Sequence, residues 1–169
     1  MAESNRDRIN PSLLDRLTDE APGNASARGG QSVTLSELRR SVLRDLNWLF
    51  NTSRLLTAAE IEAWPQVRNS VLNYGLPALS GVAASGVDLV QLERSLRQAI
   101  IDFEPRILPD SVSVKALLER ESLDQHNVVS LRIEGLLWAQ PLPVELLLRT
   151  QLDLESGQSR VDETTTGRH

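Results

Sequence analysis

The sequence has no cysteine, one lysine (Lys115), two histidines, and few aromatics: three Trp, one Tyr and two Phe in 169 residues. Without cysteine there is no disulfide framework, no thiolate metal site and no Cys nucleophile. With only His126 and His169, a multi-histidine metal site is excluded, and any triad would have to use His126. His126 sits in a polar stretch, Asp124-Gln125-His126-Asn127, between two expected strands. A histidine there is solvated rather than held against a substrate. No run approaches the ~18 apolar residues of a membrane span. Met1 to Asn10 lacks an apolar targeting core, so the expected location is the cytoplasm unless another protein carries the chain elsewhere. Asn24-Ala25-Ser26 matches a glycosylation sequon by chance in that setting. The formal net charge is -5, with no basic run and no aromatics interleaved with basic residues, which argues against nucleic-acid binding. No cofactor or metal is implied.

What is present is a soluble-globular composition, with 40% hydrophobic and 24% charged residues. The cations are almost all arginine, which suits fixed ion pairs at interfaces and is equally the composition of a GC-rich genome. Residues 1–32 are irregular apart from Ser12 to Leu17. There Ser12 and Asp15 have capping-box spacing, and Leu13, Leu14 and Leu17 line one side of a short helix. The small-residue stretch 21–31 follows as a linker. The short helix either folds back on the domain or docks on a partner, since it must bury its leucines somewhere.

A long helix begins at Thr34, which makes a capping box with Glu37 while Val33 and Leu38 occupy staple positions. Leu35, Leu38, Val42, Leu46 and Leu49 keep a helical period to about Asn51, and Arg39, Arg40 and Arg44 lie off that stripe. Thr57 and Glu60 cap another turn. Trp64-Pro65 starts a further helix, with Val67, Val71 and Leu72 as its buried side and Gly75 as its C-cap. Gly81 and Gly86 have the spacing of a phosphate loop, but Val87 stands where lysine is needed. Ser85 and Asp88 can cap the next helix, whose Leu89, Leu92, Leu96, Ala99, Ile100 and Phe103 repeat until Pro105 stops it.

The period then changes to two. Val112 to Glu119, Val129 to Leu137 and Val144 to Leu154 alternate as three half-buried strands, and Ser159 to Val161 adds a short fourth piece. Helices followed by strands give an α+β fold: a small antiparallel sheet of three to four strands with the N-terminal helices packed on one face. The other face carries Arg132, Glu134, Arg149 and Gln151 with Leu136, Trp138 and Leu147. The chain thus divides into an arm (1–32), one α+β domain (33–161) and a disordered tail (162–169).

Four phrases, in order, resemble one family. They are Ser12 to Leu17 (SLLDRL), Leu38 to Thr52 (LRRSVLRDLNWLFNT), Val67 to Pro77 (VRNSVLNYGLP) and Phe103 to Ile107 (FEPRI). With the strands behind them they resemble TssE, the type VI secretion baseplate subunit, which is similar to the wedge protein of contractile-tail phage baseplates. Asn47 stands where many members carry an acidic residue, on a helix side where it threatens nothing central. The resemblance implies a structural, non-enzymatic part of a contractile injection machine. It implies the partners TssF and TssG in the wedge, TssK nearby, and the sheath proteins TssB and TssC, which a free sheet edge would meet by β-augmentation. It implies recruitment to the membrane-associated apparatus without membrane insertion.

The resemblance places the wedge and sheath contacts at Glu104, Pro105 and Arg106, and makes Leu13, Leu14 and Leu17 a docking helix. From the residues alone, two readings of the Glu-Pro-Arg phrase stand. Glu104 and Arg106 either lock the helix-to-strand junction internally, or form a polar plug that pairs across an interface. The resemblance favours the second. An enzyme reading also exists, because relatives are often labelled lysozyme-like. It requires two carboxylates across an aromatic-lined sugar cleft, one with a raised pKa. Asp102 and Glu104 are the nearest pair, but Arg106 beside Glu104 would push its pKa the wrong way. Trp48, Trp64 and Trp138 each have another explanation.

Overall fold

A computed structural model describes residues 13–17, 34–78, 88–117, 128–139 and 141–164. Helix α1 spans Leu13–Leu17. Helix α2, Leu35–Phe50, is closed at its start by a reciprocal box. The Glu37 N–H donates to Thr34 Oγ1 at 3.3 Å, and the Thr34 N–H donates to Glu37 Oε2 at 2.8 Å. Two N-terminal donors that the helix cannot satisfy itself are thereby paired. Leu38, Ser41, Val42, Leu46, Leu49 and Phe50 form its buried stripe. Leu35, in the first turn, is 38% exposed. Helix α3, Ala58–Ala63, repeats the box with Thr57 and Glu60. Helix α4, Leu89–Phe103, is capped by Asp88, whose Oδ1 accepts from the N–H groups of Val90 and Gln91. It ends at Glu104, whose backbone (φ -121, ψ 78) has left the helical region that a following proline disfavours.

The sheet is an antiparallel meander in the order β1 (Ser113–Leu117), β2 (Val128–Leu137), β3 (Val144–Asp153), β4 (Ser159–Glu163). The register sets Val114 opposite Ile133, Ile133 opposite Leu148, and Thr150 opposite Val161. The buried side chains of Val114, Leu131, Ile133, Leu146, Leu148, Leu152 and Val161 therefore share one face. Both long helices cover that face, α2 over β4 and α4 over β1. Each Leu or Ile removed from water there contributes roughly 1.5–3 kcal/mol. The opposite face carries a cross-strand row of Lys115, Arg132, Arg149 and Asp162, and Arg132 pairs with Glu134 at 2.7 Å. Among the described residues no helix is long and apolar enough to cross a membrane.

The two sheet edges differ. On β1, side chains of α4 occupy the outward backbone groups: the Ala116 N–H donates to Glu93 Oε1 at 2.8 Å and Arg97 Nε donates to the Val112 carbonyl at 3.0 Å. On β4, the Asn51 side chain pairs like a strand residue with both backbone groups of Ser159, each bond 2.9 Å long. The ladder bonds Asp153 N–H to Gln158 O and Thr164 N–H to Leu147 O set the alternation, so the backbone groups of Val161 and Glu163 face away from β3. No hydrogen bond to those outward groups is present among the described residues.

Three expectations from the sequence change. Trp64 to Gly75 is not one helix. Two short 3-10 turns, Pro65–Val67 and Val71–Asn73, take its place, and Val71 and Leu72 are 85% and 68% exposed rather than buried. Neither turn is long enough to present a repeating apolar face, so the 3.6 period has nothing to follow. Gly75 is not a helix cap. Its φ of +123 lets the chain run beside Thr52, Ser53 and Arg54, where the Leu76 N–H donates to Thr52 O and the Arg54 N–H to Leu76 O, each at 2.8 Å. Strand β4 also runs through Glu163, two residues into the expected tail, and the Arg39 guanidinium on α2 pairs with that Glu163 carboxylate. Ser12, Val33, Gly81, Gly86, Ser85, Leu118, Glu119 and His126 lie outside the described residues.

Gly75 yields a direct test. A Cβ there would lie 2.3 Å from Thr52 O, with the backbone already in a left-handed region. Gly75→Ala should lower the unfolding free energy by about 2 kcal/mol or more. Urea denaturation measures this, and unchanged stability would show that the 52–54 segment yields freely.

Candidate functional site

The Glu-Pro-Arg phrase forms the junction between α4 and the sheet. Pro105 is exposed, while Glu104 turns inward and is only 2% exposed. A buried carboxylate is costly unless charged and hydrogen-bonded partners meet it. Arg106 supplies them as a fork: Nε donates to Glu104 Oε1 at 2.6 Å and Nη2 to Oε2 at 2.5 Å. The Arg106 backbone N–H adds a bond to Oε1 at 3.1 Å.

The same guanidinium reaches across to α2. Its Nη2 pairs with Asp45 Oδ2 at 2.5 Å, and its Nη1 donates to Ser41 Oγ at 3.0 Å. Asp45 then accepts from Arg44 Nε at 2.9 Å, and Arg44 Nη1 pairs with Asp15 Oδ1 on α1 at 2.6 Å. The result is one line of alternating charge, Glu104–Arg106–Asp45–Arg44–Asp15, running from the buried junction to the N-terminal helix. Tyr74 braces it: its hydroxyl donates to the Asp45 carbonyl at 3.3 Å and its ring meets Phe103 edge-on at 5.3 Å.

Titration follows this geometry. Burial alone would lower the Arg106 pKa, but the bonds and charge of Glu104, then of Asp45, outweigh it and raise it above the ordinary guanidinium value. Hydrogen bonds that Arg44 donates to Asp15 and then to Asp45 raise its pKa. Burial first, then the charges of Asp45 and Glu104, push the Tyr74 phenol upward.

Both Glu104 oxygens thus accept from the Arg106 guanidinium, an arrangement that locks a junction. Asp102, four residues on from Gln98, accepts from its side chain at 2.8 Å on the surface. No tryptophan lines the groove between residues 54–77 and α4 or the cavity beside Phe50 and Gly157, and Trp48 lies against Arg44, 5.2 Å from its guanidinium. No group of three or more His, Asp or Glu side chains able to hold a metal occurs among the described residues.

The structure therefore brings Glu104 and Arg106 together and places Pro105 at the surface beside them. In α1, Leu14 and Leu17 are 43% and 74% exposed, and Asp15 ties the helix to Arg44 on α2. The Leu13 side chain is outside the described residues. Ser41, Asp45, Arg44 and Asp15 were missed by sequence reasoning as members of the site. Three of them lie in the Leu38 to Thr52 phrase, at positions off the apolar stripe or at its edge, which is the available signal.

Compared with known protein families, residues 36–142 match the family described as baseplate wedge protein gp25. No curated protein and no solved structure matches the chain. The matched span holds Ser41, Asp45, Glu104 and Arg106, while Asp15 and strands β3 and β4 lie outside it.

The effect of breaking the charged line should fall along its length. Arg106→Ala strands Glu104 and should cost about 3–5 kcal/mol. Asp15→Asn, at the solvent end where the partners are about a third exposed, should cost under about 1 kcal/mol. Thermal and urea unfolding of both variants checks the ordering, and an equal loss at the two ends would contradict it.

Proposed function

This chain belongs to the baseplate wedge protein gp25 family, a structural family of phage-tail-like baseplates, and from that premise we propose that it is the TssE-type subunit of a type VI secretion baseplate, without enzymatic activity. In this reading it joins the TssF–TssG wedge, near TssK, to the TssB–TssC sheath, and helps to start sheath polymerisation. It works in the cytoplasm at a membrane-associated apparatus. The observation that carries the reading is the charged junction, which falls within the matched span and ties α2, α4 and the start of the sheet into one rigid body. Such a part transmits load; it does not turn over a substrate.

Two further features support it. The outward backbone groups of Val161 and Glu163 offer a short edge to an incoming strand, whereas α4 side chains occupy the β1 edge. The junction also reaches the surface through Pro105 and through the one-fifth of the Arg106 side chain that stays exposed, beside a helix whose Leu14 and Leu17 are uncovered. We assign the wedge contact to this surface. Glu104 acts there through Arg106, by holding it.

Co-expression with TssF and TssG from the same genome tests the assignment, read by co-purification and circular dichroism. The double variant Glu104→Leu/Arg106→Met removes both charges together and should stay folded. Wild type should join the complex and the folded double variant should not. If the double variant joins as well as wild type, the two residues serve internal structure only. If wild type itself fails to join, or if it cleaves peptidoglycan with a rate lost in Glu104→Gln, the proposed function is wrong. Glu163→Pro should leave wedge assembly intact and block sheath initiation, because proline removes an outward edge donor at the end of β4 without opening the core, and its ring obstructs pairing.

A further inference from the structure

A second feature lies apart from the junction. The segment 54–77 and helix α4 enclose an open groove of about 550 Å³. Three arginines border it from separate parts of the chain: Arg54 after α2, Arg68 between the two 3-10 turns, and Arg94 on α4. None of the three side chains has a hydrogen bond or ion pair among the described residues; Arg40 on α2 also lacks one but does not line the groove, and the other arginines with described side chains are held. Arg39 pairs with Glu163, Arg44 with Asp15 and Asp45, Arg106 with Glu104 and Asp45, Arg132 with Glu134 and Arg160 with Asp162. Arg97 donates to the Val112 carbonyl. In a chain of net charge -5, three guanidiniums from separate parts of the chain face one concavity and outnumber the two carboxylates that line it.

The walls are fixed. Asn73 is buried and spans the segment: its Oδ1 accepts from the Leu56 N–H and its Nδ2 donates to the Arg68 carbonyl, both at 3.3 Å. The latter bond holds the backbone that carries Arg68. The edge-on contact of Tyr74 with Phe103 ties the same segment to α4. The floor includes the apolar Ile61 and Phe103, and the rim also carries Glu62 and Asp102.

We propose that this groove is a docking site for an acidic segment of a partner protein. Guanidinium groups favour carboxylates, which they meet in paired, planar contacts. The apolar floor fits side chains spaced between those carboxylates. Two rim carboxylates and the negative whole chain oppose a dense polyphosphate or nucleic acid, whereas a peptide with spaced acids can set its charges against the arginines and clear of Glu62 and Asp102. The proposal stands independently of the wedge and sheath assignments, since none of its residues belongs to the charged junction or to β4.

The test uses the full chain and two fluorescein-labelled probes, a hexaglutamate peptide and a short single-stranded oligonucleotide, measured by fluorescence anisotropy at low ionic strength. Wild type should bind hexaglutamate, more weakly as salt rises. Arg68→Gln and Arg94→Gln should each weaken it by about tenfold, the loss of one charge-assisted contact. Arg132→Gln, an exposed arginine on the far face of the sheet, should leave it unchanged, with circular dichroism confirming that every variant is folded. No hexaglutamate binding by wild type would overturn the proposal. So would equal binding by the groove variants and wild type, an equal loss in Arg132→Gln, or tighter binding of the oligonucleotide than of the peptide.

Discussion

A carboxylate taken out of water sets the terms for this protein. Glu104 is buried where a helix must stop and a sheet must begin, and its charge is tolerable there only while Arg106 grips both oxygens. The pairing needs a fixed backbone between the two residues, and Pro105 provides it by fixing its own φ and restricting the residue before it. Arg106 then has donors to spare, and these reach Ser41 and Asp45 on α2. One unfavourable burial thereby becomes a tie between the two long helices and the first strand. The hydrophobic core contributes most of the stability, but it is non-directional, and the charged tie fixes how the layers are oriented.

Such a tie suits a part in a mechanical assembly. An apolar interface can slide at small cost, whereas a bidentate ion pair has one good geometry. From the buried Glu104 outward, the side chains become more exposed, to about a third at Arg44 and Asp15, and the outer contacts are worth less. The same line leads from the buried junction to α1, where Leu14 and Leu17 are exposed. The two sheet edges divide in a comparable way. Glu93 and Arg97 occupy β1, and Asn51 occupies only the first residue of β4.

Much of the fold was legible because its signals are local. Thr34 with Glu37 and Thr57 with Glu60 announce helix starts by their spacing, and both boxes form. The change from a 3.6 to a 2 period at Val112 announces the sheet, and the meander follows from short connections. The Trp64 to Gly75 segment was illegible for the converse reason. Val67, Val71 and Leu72 have helical spacing, but long-range pairing of Leu76 with Thr52 and Arg54 pulls the chain into 3-10 turns and leaves two of the three exposed. At the junction, Glu104 and Arg106 stood out in the sequence, and whether they faced each other or a partner did not. That depended on Ser41 and Asp45, more than 60 positions away, whose contribution no spacing rule encodes. The arginine-lined groove is likewise tertiary: Arg54, Arg68 and Arg94 share no periodicity.

The central claim is that Glu104 and Arg106 act as one unit inside the protein. A double-mutant cycle on the isolated chain tests it most directly, using urea unfolding of Glu104→Leu, Arg106→Met and the double variant. The account predicts strong coupling: each single change leaves an unmatched charge and costs about 3–5 kcal/mol, while the double variant recovers most of that loss. Additive losses, with the double variant as unstable as the sum of the two singles, would contradict it.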